Sequence, residues 1–220
     1  MYQLSQEETR SLLRQPESGM GYQIVDVQTI DHRSKRGVVL NAELLKLDED
    51  TLSDSIELLT KSHAQALRAA SSSYGKFRAL TVVRDPRTTV LSKREAKAGG
   101  GADEGVEEKT KEGEVFYRFS AFENDNRVTL EKGLLPNTYA TSKDDGDKVK
   151  TGKEAVERYA LPNNDPASYR FTVKPKKDTK LKKGIVQPAN GHVGGGIEVI
   201  FTDGTDKDTV TVPPTKLPDA

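Results

Sequence analysis

Cysteine and tryptophan are both missing from the 220 residues. Without cysteine there is no disulfide, no thiolate nucleophile and no Cys-ligated zinc. Such a chain suits the cytosol and equally a secreted domain that is stable without bridges. Net charge is missing too, because 34 Lys and Arg balance 34 Asp and Glu. That balance gives no electrostatic case for nucleic acid as the main partner. No apolar run approaches the roughly 20 residues that span a bilayer. Met1-Tyr2-Gln3-Leu4-Ser5-Gln6 lacks the basic start and apolar core of a signal peptide. A soluble chain without a membrane span is expected, cytoplasmic or exported by a non-classical route. Histidine is scarce, at three residues. His32, His63 and His192 have no short spacing between them, so no metal site is expected.

What is present clusters into clear runs, although the hydrophobic fraction is only 34%. Ser5-Gln6-Glu7-Glu8 fits a capping box and predicts a short helix carrying Leu12 and Leu13 that stops before Pro16. Tyr22–Gln28 alternates apolar and polar residues and reads as a strand. A second strand starts at Gly37 and extends towards Leu47, and Phe77–Val83 is a third. Between them Ser53 caps a helix whose apolar face carries Ile56, Leu59, His63, Ala66, Leu67 and Ala70. Residues 1–90 therefore read as a small α+β unit. Residues 91–113 hold almost no large apolar side chain and read as a flexible linker.

Residues 114–220 read as a β-rich domain. Strands are expected at Val115–Phe119, Thr138–Ser142, Tyr169–Val173, Val199–Phe201 and Val210–Val212. Thr151-Gly152-Lys153-Glu154 opens a helix through Tyr159. Asp203-Gly204 is a hairpin-type turn signal. The basic runs at Lys174–Lys177 and Lys180–Lys183 read as solvated loop.

The candidate functional site is the glycine-rich turn Gly191–Gly196 running into a strand with Glu198. Consecutive glycines permit positive φ and let a backbone approach a ligand closely. A carboxylate just beyond them can receive a ribose hydroxyl or stabilise a developing cation. The plainer reading is a β-bulge with a solvent-facing glutamate. No Gly-Lys-Ser or Gly-Lys-Thr closes the turn and no helix pattern follows it, which excludes a phosphate loop and the strand-turn-helix dinucleotide fingerprint. His192 beside the glycines is a candidate proton donor, or a surface histidine. Arg118, Arg158 and Arg170 are candidate diphosphate clamps, or outward-facing charges. Tyr139 is a candidate stacking platform, or core.

Tyr169–Pro175 together with Lys183–Glu198, and Leu134–Tyr139 upstream, resemble the tuberculosis necrotizing toxin domain over about residues 114–213. That family cleaves NAD at the nicotinamide–ribose bond. The resemblance implies a split-sheet fold of the ADP-ribosyltransferase type, with NAD as substrate and no metal. It implies Glu198, His192 and Arg118 as catalytic residues. Arg158, Arg170, Tyr139, Gly194 and Gly195 would bind the dinucleotide, and an immunity protein would be the partner. The order Arg118, Thr138–Ser142, Glu198 also fits an ADP-ribosyltransferase. His192 and Val193 stand where the family carries glutamine and proline, which points to a non-catalytic binding or structural module on the same scaffold.

Overall fold

The computed structural model describes residues 1–29, 34–47, 77–82, 105–163 and 165–219. The helix expected after Ser53, with His63, and the loop histidine His32 lie outside the described residues. The chain forms a β-rich α+β fold that divides into two compact units, Met1–Ser18 with Tyr22–Asp85, and Gly19–Gly21 with Pro86–Ala220.

The first unit holds a five-stranded antiparallel sheet in the order β1-β4-β3-β2-β5. Its elements are β1 (Tyr2–Gln3), α1 (Gln6–Leu13), β2 (Tyr22–Thr29), β3 (Ser34–Leu40), β4 (Leu44–Leu47) and β5 (Phe77–Val82). The capping box forms as the sequence implies. The Ser5 hydroxyl accepts from the Glu8 amide at 3.0 Å, and the Glu8 carboxylate accepts from the Ser5 amide at 2.8 Å. α1 then lays Leu12 into a core with Leu4, Val25, Val27, Val39 and Leu45. The second strand does not run unbroken to Leu47. Asn41 and Ala42 both sit at positive φ and turn the chain back, so β4 pairs antiparallel with β3.

The second unit holds a seven-stranded sheet in the order β14-β11-β7-β10-β13-β12-β6. In chain order its strands are β6 (Val106–Lys109), β7 (Phe116–Ser120), β10 (Thr138–Ser142), β11 (Tyr169–Val173), β12 (Lys180–Ile185), β13 (Ile197–Phe201) and β14 (Val210–Lys216). β8 (Val128–Thr129) and β9 (Gly133–Leu134) form a separate ribbon. α2 (Lys143–Gly146) and α3 (Gly152–Arg158) are its helices. Thr151 caps α3 by accepting from the Glu154 amide at 3.1 Å, while Glu154 reaches one residue further back, to the Lys150 amide.

Three expectations change here. β6 pairs with β12, so the stretch read as linker contributes an edge strand, and Lys180–Lys183 is strand and not loop. Gly204 does make a turn, at φ +78, but the strand after it pairs with β11 and not with β13, so no hairpin forms. The sheet splits at β10. Thr138, Tyr139 and Ala140 pair with β13, and only Thr141 and Ser142 pair with β7.

Alternation of side chains along each strand assigns the two faces of this sheet. One face buries Phe116, Ala140, Phe171, Val173, Val199 and Phe201. Phe116 and Phe201 meet there edge to face at 5.2 Å. Burying each such ring contributes about 2–3 kcal/mol. The other face carries Tyr117, Phe119, Tyr139, Thr141, Glu198 and Ile200, as the registers Thr141↔Tyr117 and Tyr139↔Ile200 require. α2 and α3 pack on this second face. A Cβ on Gly146 would strike the Tyr117 ring, and Tyr159 stacks on Phe119 at 5.4 Å.

Candidate functional site

The glycine turn is built by backbone geometry first. Asn190 and Gly191, at φ 54 and 82, reverse the chain between Ala189 and His192, which bond to each other in both directions. Gly194 and Gly195 follow at φ 64 and 87. An L side chain at either position would be strained. Gly196 is needed for a different reason. A Cβ there would lie 2.7 Å from the Tyr159 ring and 2.9 Å from the Arg158 carbonyl.

These glycines do not aim their amides at open space. Gly194 donates to the Glu157 carbonyl, Gly195 to the Val186 carbonyl and Gly196 to the Arg158 carbonyl. The turn thus bonds the last carbonyls of α3, adding to the bond that Glu157 already accepts from the Ala160 amide and engaging that of Arg158. The Asn190 side chain adds a bond to the Ala160 carbonyl at 2.7 Å, and His192 Nδ1 lies 2.8 Å from Glu157 Oε1. The turn is strapped along the C-terminal end of α3. Gly194 and Gly195 therefore approach protein backbone with their amides already used.

One carboxylate joins the turn, the helix and the sheet. Asp145, 1% exposed, accepts from Arg158 Nε at 3.0 Å, from the Ile197 amide at 3.0 Å and from the Tyr159 hydroxyl at 3.2 Å. Burial pushes its pKa up, but the bonds from Arg158, Ile197 and Tyr159 outweigh burial and hold it below the ordinary carboxylate value. The same ion pair raises Arg158, and burial raises the Tyr159 phenol. Thr141 Oγ1 donates to the Ile197 carbonyl at 2.7 Å. Both backbone polar groups of Ile197 are thereby held by side chains, immediately before Glu198.

The nominated residues fall into two groups. Glu198, Tyr139 and Arg170 share one sheet face, since Arg170 pairs with Phe119. Arg158, Gly194, Gly195 and His192 sit at the end of α3, which packs on that face. Glu198 is 8% exposed, so it is not the solvent-facing glutamate of the plainer reading. Tyr139 is 4% exposed and is mainly core. The Arg170 guanidinium lies 4.5 Å from the centre of the Tyr117 ring. This is a cation–π contact that steadies the side chain.

Arg118 belongs elsewhere. Its register opposite Phe171 places it on the other face, fully buried. It binds Asp125 through two bonds of 2.9 and 3.2 Å and donates to the Tyr139 carbonyl at 2.9 Å. The Tyr139 carbonyl lies where the β10–β7 pairing has ended, so the guanidinium fills the split of the sheet. Arg118 and Glu198 thus do not converge on one face.

Sequence reasoning misses Asp145 and takes Thr141 only as part of Thr138–Ser142, because their roles rest on contacts 52 and 56 residues away along the chain. Among the described residues, no group of three or more His, Asp or Glu is placed to hold a metal ion. No helix among them is long and apolar enough to cross a membrane. No protein-family model, curated protein or solved structure matches the chain.

Proposed function

We propose that the second unit cleaves NAD at the nicotinamide–ribose bond, with Glu198 as the carboxylate that stabilises the oxocarbenium-like ribose. The observation that carries this reading is the setting of Glu198. It is a nearly buried acid on an interior strand, on one face with Tyr139 and Arg170, and the backbone of the preceding Ile197 is held by Asp145 and Thr141. A fixed carboxylate with little water around it acts on developing positive charge far more strongly than one in bulk solvent. Arg158 and Arg170 supply positive charge on the same side of the sheet, whereas Arg118 serves the fold. His192, tied to Glu157, orients the glycine turn in this scheme.

The alternative is a non-catalytic module. It is favoured by the glycine amides already spent on α3 and by the enclosure of Arg118. Incubation of the protein with NAD decides between the two. Nicotinamide release that falls at least about a hundredfold in Glu198→Gln supports catalysis. Absence of release from the native protein overturns it. ADP-ribose found attached to protein instead of free would reassign the reaction as transfer. A NAD-consuming activity harms the cell that makes it, so an inhibitory immunity protein is the partner this reading calls for. Growth arrest on expression, relieved by Glu198→Gln, is the corresponding cellular observation.

A further inference from the structure

The tip of the glycine turn carries a chemical feature of its own. Asn190 is the one asparagine in the chain that a glycine follows. Both residues are exposed, and a Cβ built on Gly191 would meet nothing within 4 Å. Among the described residues, no acceptor takes the Gly191 amide. The nitrogen next to the Asn190 side chain is thus unhindered and unbonded. Asn41 and Asn137 also sit at positive φ, but Ala42 and Thr138 follow them. Asn41 and Thr138 are moreover buried.

An unhindered amide nitrogen after asparagine can attack the side-chain carbonyl carbon. The Gly191 nitrogen gives up its proton and bonds to Asn190 Cγ, the Cγ–Nδ2 bond breaks, and ammonia leaves. Water then adds to one of the carbonyls of the cyclic imide and opens it. One opening gives aspartate. The other gives isoaspartate, in which the main chain runs through the side chain. No oxidant, reductant or enzyme enters the balance. We infer that Asn190-Gly191 is a site of spontaneous deamidation, and that the change detaches the tip of the glycine turn from the end of α3.

Few bonds hold this tip. Asn190 Nδ2 donates to the Ala160 carbonyl at 2.7 Å, and Ala189 and His192 bond to each other in both directions. Reaction proceeds when the tip briefly opens, as exposed loops do at low free-energy cost. Afterwards position 190 carries a carboxylate, which only accepts. It cannot donate to the Ala160 carbonyl, which takes no other bond among the described residues. Two facing acceptors repel instead. In the isoaspartate form the lengthened main chain also breaks the Ala189–His192 register and draws His192 away from Glu157. The opened tip therefore does not close again. Nothing in this chemistry depends on whether NAD is cleaved.

The test is peptide mapping by mass spectrometry after the full chain has stood for weeks at mildly alkaline pH. The peptide holding Asn190 is expected to gain about one mass unit, the exchange of an amide nitrogen for oxygen. In heavy-oxygen water it should take up the isotope from solvent. Conversion at Asn41 and Asn137 should be at least about tenfold slower, because the following residue carries a side chain. Asn190→Gln should stay unchanged there, since its longer side chain closes the ring poorly. Hydrogen exchange reads the consequence. In the converted protein and in Asn190→Asp, the Ala189 and His192 amides should exchange at least about tenfold faster, while those of Val199 and Ile200 keep their native rates. Asn190 left intact in the folded chain, under conditions that convert it in denaturant, overturns the site. Conversion with native exchange at Ala189 and His192 overturns the detachment.

Discussion

Asp145 is the residue on which most of the second unit's local order converges. Its carboxylate ties α2, α3, the glycine turn and the start of β13. Removal of one partner from a buried ion pair costs about 3–5 kcal/mol, less where the partner keeps some contact with water. Arg158 is partly exposed, with 28% of its side chain accessible. Asp145→Ala should therefore lower unfolding stability by about 2–3 kcal/mol in chemical denaturation. The pH dependence has a definite sign. A carboxylate held below its ordinary value stabilises the fold above the unfolded pKa, and that stability is lost as pH falls through the lower folded pKa. Asp145→Asn should flatten the acid limb of a stability–pH curve, and an unchanged limb would remove Asp145 from the account.

The glycines make a second prediction at the same scale. Gly195→Ala meets no atom within 4 Å but must hold φ +87, a cost of about 1–2 kcal/mol. Gly196→Ala drives a methyl into the Tyr159 ring and the Arg158 carbonyl and should cost more, about 2–3 kcal/mol, as overpacking does. Denaturation midpoints of the two variants, compared side by side, give the order directly.

At the scale of elements, α3 depends on its first turn and on the chain beyond its end. Thr151→Ala removes the hydroxyl that accepts from the Glu154 amide and should cost about 1 kcal/mol. Much of this level was legible in sequence. Both N-terminal caps, β2, β7, β10, β11 and β13 fall close to where alternation and capping residues place them. The failures have physical causes. β6 reads Val-Glu-Glu-Lys, because an edge strand is tolerated with charge and needs little apolar character. β3 and β4 read as one strand because their apolar runs are separated only by Asn41, Ala42 and Glu43, and neither alanine nor glutamate carries a turn signal. β7 is buried at all five positions, so Phe116-Tyr117-Arg118-Phe119-Ser120 gives no in–out alternation and hides the face of Arg118. Asp145 was invisible because nothing in Lys143-Asp144-Asp145-Gly146 announces a partner 52 residues later.

At the scale of the whole molecule, two separate apolar cores matter more than the average composition. Leu12, Val25, Val39 and Leu45 serve one unit, and Phe171, Val173, Val199 and Phe201 serve the other. With separate cores, the two units are expected to unfold with distinct midpoints. Methyl NMR signals of Val25 and Val39 should be lost at a different denaturant concentration from those of Val173 and Val199. A single shared midpoint would show the units to be one cooperative body.

The split at β10 has a mechanical consequence. A sheet resists bending through its continuous ladders, and here the ladder passes from one half to the other within five residues. The line along β10 is therefore the compliant seam of an otherwise stiff plate. Arg118 bridges that seam by joining β7, the Asp125 loop and the Tyr139 carbonyl, and so sets how far the two halves can flex.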